Sequence, residues 1–529
     1  MKKYTYLFGL LLCVVSTASA APLPSRSLTL GNAQLQEKRT AVTLLPGVVL
    51  TTIYRGTLDP AQAWTVNLVA VRTTLAAEKP LSDLRAAGFE GRLDPMQTQD
   101  VLTDSLGFML RVGRFSNRAQ AEAALAALKV KGFGGGVQHT AEDGGPSSGP
   151  WAIRVLSVAP SAQAIVRAAL ASDIVPGRET TSALARRLGA VAAVNGGFFV
   201  VNDASGTEGD LAGLSVQAGQ LISEAIAGRP AFFLDSASLK GSVIREVSSS
   251  VTLTANGQVR RASGLNRKPG LISNCGNAVG TPTVLPAHDY TCRSANELIV
   301  FTPAFGTSSD AGEGYEVMVE AGGRISAVQS KRGSAIPAGG YTLQATGSEA
   351  VWLQQLSLGT PLTLERTVSG LAGAQGDALP LTPTTYAVNG GPTLLMGGKL
   401  VNHYAAEGWS PDALGGPEVT EKDPSSSADS RTNFFNGWLL RRNPRTAVGI
   451  MKDGTLLFVT VDGRNPTHSV GTSIPETAAL MRGLGAVDAM NLDGGGSTAT
   501  VVNNMLQGVP SDATGERPDG DAIIILPKP

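Results

Sequence analysis

Residues Val487 to Val502, V-D-A-M-N-L-D-G-G-G-S-T-A-T-V-V, constrain this chain more than any other stretch. An apolar run ends at Asn491 and Asp493, three glycines follow, then Ser497 and Thr498, then a second β-prone run. Between polar, proline-rich flanks a glycine triplet is a flexible linker. Between apolar, β-prone flanks it reads as a tight turn joining two strands. Three residues without Cβ also let backbone approach a ligand closely.

The 529 residues exceed one ordinary core, so two or three domains are expected. The 43 basic and 43 acidic residues balance, which argues against the clustered basic face of a nucleic-acid binder. With 63 glycines and only 16% charged residues, the chain reads as turn-rich and globular with much β structure. Lys2 and Lys3, the apolar run Leu7 to Val15 and Ala18-Ser19-Ala20 form a secretory signal pattern over residues 1–20. The run is too short for a permanent membrane span, and Cys13 lacks the small residues that precede a lipoprotein cysteine. Export makes a disulfide between Cys275 and Cys292 the expected state. By the chain-entropy argument, closing such a loop contributes about 3 kcal/mol.

Residues 21–59 show no strong pattern beyond one or two strands within Ala41 to Tyr54. W-T-V-N-L-V-A-V-R from Trp64 alternates as a strand, and a helical stretch follows from Leu81 to Ala87. Gly107 to Phe115 is a second strand. Ser116 or Asn117 can cap the alanine-rich helix after it, and Lys131-Gly132-Phe133 closes it. Two strand–helix–strand units imply a small ferredoxin-like βαββαβ domain. G-F-M-L-R-V-G-R-F-S-N-R-A-Q-A-E-A-A-L-A-A-L-K-V-K-G-F resembles the second half of a sporulation-related repeat (SPOR) domain, with residues 64–95 as the first half. The resemblance implies that residues 60–140 bind peptidoglycan glycan strands through the sheet face.

Residues 141–150 read as a linker, and Trp151 opens a larger β-rich α+β catalytic domain over 151–529. Two of its strands end in Asn195-Gly196-Gly197 and Asn389-Gly390-Gly391, and Asn491 precedes the glycine triplet. These are either three ordinary turns or strand ends whose amides converge on one pocket. Residues 230–385 read as a β-rich elaboration, mainly structural. His403 to Ser430, with Asp412, Glu418, Glu421, Asp423 and Asp429, reads as a surface loop or lid.

From Asn443 onward candidate groups are dense. The P-loop fails for want of lysine after Gly496, and calcium-loop spacing fails at Met490 and Val502. Gly495-Gly496-Ser497-Thr498-Ala499 lacks the last glycine of a nucleophile elbow, though His468 with Ser497 keeps a serine hydrolase open. Three carboxylates, Asp462, Glu476 and Asp493, accompany Arg445 and Arg464. Paired carboxyl groups suit glycosidic cleavage, and arginine forks suit phosphate. Each residue also has an ordinary reading: Asp462-Gly463 as a turn, Glu476 on a helix dipole, Arg464 as a surface residue.

A-V-N-G-G-F-F, N-P-R-T-A-V-G, V-D-G-R, S-V-G-x-x-I-P-E, N-L-D-G-G-G-S-T and G-E-R-P occur in this order and resemble the phosphodiester glycosidase family from about Trp151 to Leu526. The resemblance implies hydrolysis of a sugar-1-phosphodiester, N-acetylglucosamine-1-phosphodiester-like, to sugar and phosphomonoester. Its expected site residues are Asn195, Arg445, Thr446, Asp462, Arg464, Ser469, Glu476, Asn491, Asp493, Gly494, Gly495, Gly496, Ser497 and Arg517. Expected roles are Glu476 and Asp493 as acid and base, Arg445 and Arg464 on phosphate, and Asp462 orienting one arginine. Glycine amides and Ser497 would stabilise developing charge. No cofactor is implied, and a divalent ion among Asp462, Asp493 and phosphate stays open. After G-E-R-P the chain departs from the family's small residue and asparagine, with Asp519-Gly520-Asp521 instead. The rival reading is a non-catalytic envelope protein that binds wall glycan. Either way a secreted, periplasmic or envelope location is expected.

Overall fold

The structure is a computed structural model. It describes residues 22–97, 106–226, 228–275, 291–371, 376–402, 404, 406–409 and 435–529. The signal pattern, Cys13 and residues 403, 405 and 410–430 of the expected loop or lid at 403–430 lie outside these residues, while Tyr404, Glu407 and Trp409 of that loop are buried rather than on the surface.

The protein is β-rich with few helices. Its centre is an eight-stranded antiparallel sheet in the order Glu37–Leu45, Val48–Arg55, Trp151–Val158, Leu456–Val461, Arg445–Met451, Ala486–Asn491, Thr393–Met396 and Lys399–Leu400. All eight residues of Trp151–Val158 and all six of Leu456–Val461 are buried, because this sheet is covered on both faces. Successive side chains point to opposite faces. Ile153, Val155, Val459 and Val461 meet the helix Ile474–Gly483 through Ala478, Leu480 and Met481. Leu156, Val158, Leu456 and Phe458 meet Val166, Ala192, Val194, Ile523 and Ile525 of a five-stranded antiparallel sheet. Each such side chain contributes about 1.5–3 kcal/mol of burial.

The hairpin 37–45/48–55 belongs to the central sheet, where Val48–Arg55 pairs with Trp151–Val158 over eight residues. The unit at 60–140 is thus inserted between two adjacent strands of the larger domain, not strung ahead of it. Arg55 anchors the entry, 1% exposed, with its guanidinium donating to the carbonyls of Leu30, Leu35 and Asn32.

Within the inserted unit the sheet order is Gly91–Pro95, Phe108–Phe115, Trp64–Val71, Gly136–His139, all antiparallel. The helices Glu78–Ala86 and Arg118–Val130 share a core of Val66, Leu84, Leu110, Val112 and Leu128. Asn117 caps the second helix by accepting from Gln120 N. Arg111 alternates with Leu110 and Val112 and so faces away from the helices. There it is 5% exposed and bonds Asp143 at 2.6 and 2.7 Å. Gln138, 2% exposed, donates to the same carboxylate at 2.8 Å. Met96, Met109 and Ala141 join the apolar cluster of Trp151 and Phe435. The sheet face expected to meet glycan is therefore covered, by the segment after the unit and by the central core.

The elaboration forms two further sheets. An eight-stranded one includes Ala231–Asp235, Lys240–Ala255 and Thr385–Asn389, and a five-stranded one includes Leu298–Phe301 and Tyr341–Ala345. Their facing sides share one core, with Val216, Leu253, Val300, Leu343 and Trp352. Cys275 and Cys292 are disulfide-bonded, with Cα atoms 5.8 Å apart.

Candidate active site

Three asparagines end three strands in three different sheets: Asn195, Asn389 and Asn491. They do converge, but they face one another's backbone rather than a ligand. Asn195 Nδ2 donates to Asp493 O at 2.9 Å, next to the turn that Asn491 opens. Asn491 Nδ2 donates to Gly391 O at 3.0 Å, in the turn that Asn389 opens. Asn389 brackets Phe198, accepting from its N at 2.8 Å and donating to its O at 3.2 Å, in the turn that Asn195 opens. Each amide thus pins the next turn, and the ring closes. Thr446 supports it from the central sheet by donating to Asn195 Oδ1 at 2.6 Å. All three asparagines are at most 3% exposed, so each unmade bond would leave a costly buried polar group.

The ring fixes one end of a cleft of about 620 Å³, lined among others by Phe198, Trp438, Asn443, Arg445, Arg464, Asp493, Gly494 to Gly496 and Arg517. Asp493 is the carboxylate on this wall. Its Oδ1 accepts from Gly494 N and its Oδ2 from Ser497 Oγ, each at 2.8 Å. Gly495 adopts φ +60°, where a side chain is strained, and a Cβ on Gly496 would fall 2.2 Å from Arg517 Nη2. The glycines therefore serve shape. The amides of Gly494 and Gly495 are spent on Asp493 and on Pro444 O, not left for an anion.

Positive charge comes from three arginines. Arg445 is 2% exposed and donates to the carbonyls of Thr472 (3.0 Å), Arg441 (3.4 Å) and Trp438. Its guanidinium lies 5.1 Å from the Trp438 ring centre. Burial first, then the charge of Arg464, pulls its pKa down to about 9. Arg464 donates to Asn443 Oδ1 at 3.1 and 3.3 Å and is likewise lowered, mainly by burial. Among the described residues neither guanidinium has a carboxylate within ion-pair distance, whereas Arg517 pairs with Asp512 at 2.8 Å. Two uncompensated guanidinium groups in one cleft make a site for an anion.

The segment that departs from the family pattern lies behind this wall. Asp519 and Asp521 are 3% and 1% exposed. Asp521 Oδ1 accepts from Gly197 N at 2.9 Å, while its Oδ2 and both oxygens of Asp519 lack a partner. Burial, then repulsion from Asp493, raises Asp519 well above the ordinary range. Burial raises Asp521 to about 7, with Asp493 adding to the shift against the bond from Gly197. Both oppose ionisation beside Asp493. Their adjacency to Asp493 was hidden because it depends on how strand Asp521–Pro527 pairs with Ala192–Asn195.

Four expected site residues stand elsewhere. Glu476 is not in the cleft. It closes a capping box with Ser473 on helix Ile474–Gly483 and pairs with Arg442 at 2.6 Å. Arg442, 2% exposed, also holds Ala141 O at 2.7 Å, so Glu476 ties the inserted unit to the core. Glu476→Gln keeps the cap but removes the charge facing Arg442. It is expected to cost about 2 kcal/mol, read as a lower midpoint in urea unfolding. Asp462 orients neither Arg445 nor Arg464. Its Oδ2 meets Arg154 at 2.5 Å and His468 at 2.7 Å. It therefore forms no divalent-ion site with Asp493. Ser469 donates to Asp462 O at 2.6 Å and accepts from Ala152 N, a structural use. Ser497, 1% exposed, bonds Asp493, and His468 bonds Asp462, so no serine–histidine pair forms.

The reading of the residues missed Trp438 and the wall from the elaboration, Ser273, Asn274 and Thr291. The disulfide was the signal for that wall. It joins the ends of Leu271–Ser273 and Thr291–Arg293, which pair antiparallel beside the cleft.

A sequence profile for phosphodiester glycosidase matches residues 313–526, and one for the SPOR domain matches 60–138. The solved structure of a Burkholderia pseudomallei K96243 protein described as exported is 37% identical, covers 96% of this chain and 99% of its own, and superposes with a TM-score of 0.85. The N-acetylglucosamine-1-phosphodiester alpha-N-acetylglucosaminidase of Mus musculus is 36% identical over 95 residues, which is 18% of this chain and 17% of the mouse protein. The Bos taurus enzyme of the same name is 40% identical over 81 residues, 15% of each chain. The aligned part thus spans about a sixth of these curated relatives. With both profiles matched in place, the chain carries a phosphodiester glycosidase domain over residues 313–526 and a SPOR domain over residues 60–138.

Proposed function

We propose that this protein hydrolyses a sugar-1-phosphodiester, of the N-acetylglucosamine-1-phosphodiester kind, in the cell envelope. The observation that carries the reading is the pair of uncompensated guanidinium groups, Arg445 and Arg464, that line one cleft together with Asp493. Arginine forks hold the non-bridging phosphate oxygens. Asp493 takes the proton of a water whose oxygen attacks the sugar C1. The C1–O bond breaks, and its electron pair stays on the phosphate oxygen. A phosphomonoester ionises near pH 6, and the arginines stabilise it further, so departure needs little help from a general acid. Glu476 is therefore not required as a partner for Asp493. Burial disfavours the charged forms of Asp519 and Asp521, which limits the negative charge they set beside the phosphate. Trp438 and Phe198 supply the flat apolar wall that suits a sugar ring.

The test is phosphomonoester release from a synthetic sugar-1-phosphodiester by purified protein. Release sensitive to Arg445→Ala is expected. No release would leave the rival reading, a non-catalytic envelope protein that binds wall glycan.

The SPOR match supports peptidoglycan as a partner and, with the likeness to an exported protein, an envelope location. The strand order of the inserted unit supports the ferredoxin-like reading. Engagement of glycan through its sheet face requires the Asp143 segment to lift from Arg111 and Gln138. The full-length protein is expected to co-sediment with denuded peptidoglycan sacculi. Retention no greater than in a control without sacculi removes the wall-binding claim. Among the described residues no helix is long and apolar enough to cross a membrane.

A further inference from the structure

The segment that leaves the inserted unit, residues 141–145, touches two structures at once. Asp143 reaches back onto the unit's sheet, where it accepts from Arg111 at 2.6 and 2.7 Å and from Gln138 at 2.8 Å. Its neighbours reach the other way. Ala141 O accepts from Arg442 Nη1 at 2.7 Å, Gly145 O accepts from Arg442 Nη2, and Glu142 O accepts from Arg442 N at 2.8 Å. The buried Glu142 carboxylate lies 3.5 Å from the Arg441 guanidinium.

Arg441, Arg442 and Asn443 form a strap whose other side faces the cleft. Asn443 lines the cleft, and its Oδ1 accepts from Arg464 at 3.1 and 3.3 Å. Arg441 O accepts from Arg445 Nη2 at 3.4 Å and from Asn443 Nδ2 at 3.3 Å. The strap therefore carries acceptors for both guanidinium groups of the anion site. Burial lowers the Arg464 pKa, and the charge of Glu142 is the foremost influence opposing it. Segment 141–145 thus acts on the cleft through charge as well as through hydrogen bonds. At its other end the latch is open to competition, because the Asp143 side chain is 26% exposed.

We propose that segment 141–145 is a positioning element of the cleft, latched by Asp143, so that a glycan strand on the inserted sheet and a phosphodiester in the cleft oppose each other's binding. A strand on the sheet face displaces Asp143 from Arg111 and Gln138. The carbonyls of Ala141, Glu142 and Gly145 then leave Arg442, and the strap that orients Arg445 and Arg464 loosens. Arginine forks hold phosphate through aligned donors, so the cleft binds its anion less well. Coupling of this kind travels through contiguous hydrogen bonds and is reciprocal. An anion that fixes both arginines keeps the segment docked. The inference rests on the phosphodiester and wall-binding readings together.

The test measures KM for a synthetic sugar-1-phosphodiester with and without denuded peptidoglycan sacculi, in wild type and in Asp143→Ala. Sacculi are expected to raise the wild-type KM at least about fivefold, with kcat little changed. Asp143→Ala is expected to show the raised KM without sacculi, to be retained on them more strongly than wild type, and to show no further rise when they are added. Asp143→Asn, a milder release of the same latch, is expected to fall between the two. A strand that competed for the cleft itself would raise KM in the released variants as well, and that result overturns the proposal. So does a wild-type KM that sacculi leave unchanged or lower, and so does a failure of sacculi to retain the protein. If wild type hydrolyses no phosphodiester, the reaction reading fails by itself, and the coupling is read from retention alone. N-acetylglucosamine-1-phosphate is then expected to release wild type from sacculi and to release Asp143→Asn less. Equal release of the two, or none, overturns the coupling.

Discussion

Asp493→Asn is expected to lower kcat for sugar-1-phosphodiester hydrolysis by about 10²–10⁴-fold, the usual contribution of a general base. The replacement is close to isosteric. Its Oδ1 still accepts from Gly494 N, and its new amide group faces Ser497 Oγ, a hydroxyl that can turn from donor to acceptor. The turn and the asparagine ring behind it are retained, since Asn195 holds the Asp493 carbonyl and not the carboxylate. Removing one negative charge from a wall that holds Arg445, Arg464 and Arg517 also favours a phosphate. The variant is therefore expected to bind the phosphomonoester product at least as tightly as wild type, read as product inhibition. Weak product binding together with a lost rate would indicate a collapsed site. A near-wild-type kcat would remove Asp493 from the chemistry altogether.

Asp521→Asn is expected to raise stability by about 2 kcal/mol at pH 8, with the gain vanishing towards pH 4. Burial raises the Asp521 pKa to about 7 in the fold, against an ordinary value of 3.8. Below about pH 4 both folded and unfolded chains hold the proton, and the two proteins match. Between pH 4 and 7 the unfolded chain releases it while the folded chain keeps it, so wild-type stability falls as pH rises. A shift of that size corresponds to at most about 4 kcal/mol. Asparagine avoids this loss and still accepts from Gly197 N, but its amide replaces an oxygen that has no partner, which returns part of the gain. The readout is the difference in thermal midpoint between the two proteins at pH 4.5 and at pH 8. A constant difference would show that Asp521 does not titrate in that window.

Much of the local structure was legible. The capped helix after Asn117, the helix after Ser473 and the strands ending in asparagine and glycine follow from propensity, capping and period. So was the arginine side of the cleft, since Arg445 and Arg464 sit in short motifs near the glycine triplet. Glu476 shows where such reading stops. Three residues after Ser473 and just inside a helix, a glutamate satisfies both the catalytic expectation and the capping box, and only the position of Arg442 separates them.

The sequence by itself determined the strand ends, the turn at Gly494 to Gly496, the cysteine pair and the inserted unit's succession of elements. Those depend on residues near one another in the chain, where backbone freedom and side-chain period act directly. Tertiary structure alone decided three things. It placed the 60–140 unit inside the central sheet and closed its sheet face. It turned three asparagines onto one another's backbones instead of onto a ligand. It set Asp519 and Asp521 behind Asp493 and sent Asp462 and Glu476 to other arginines. Each is a pairing across many residues of chain, and such pairings are set by which sheet edges and buried charges find partners, a contest that no local pattern records.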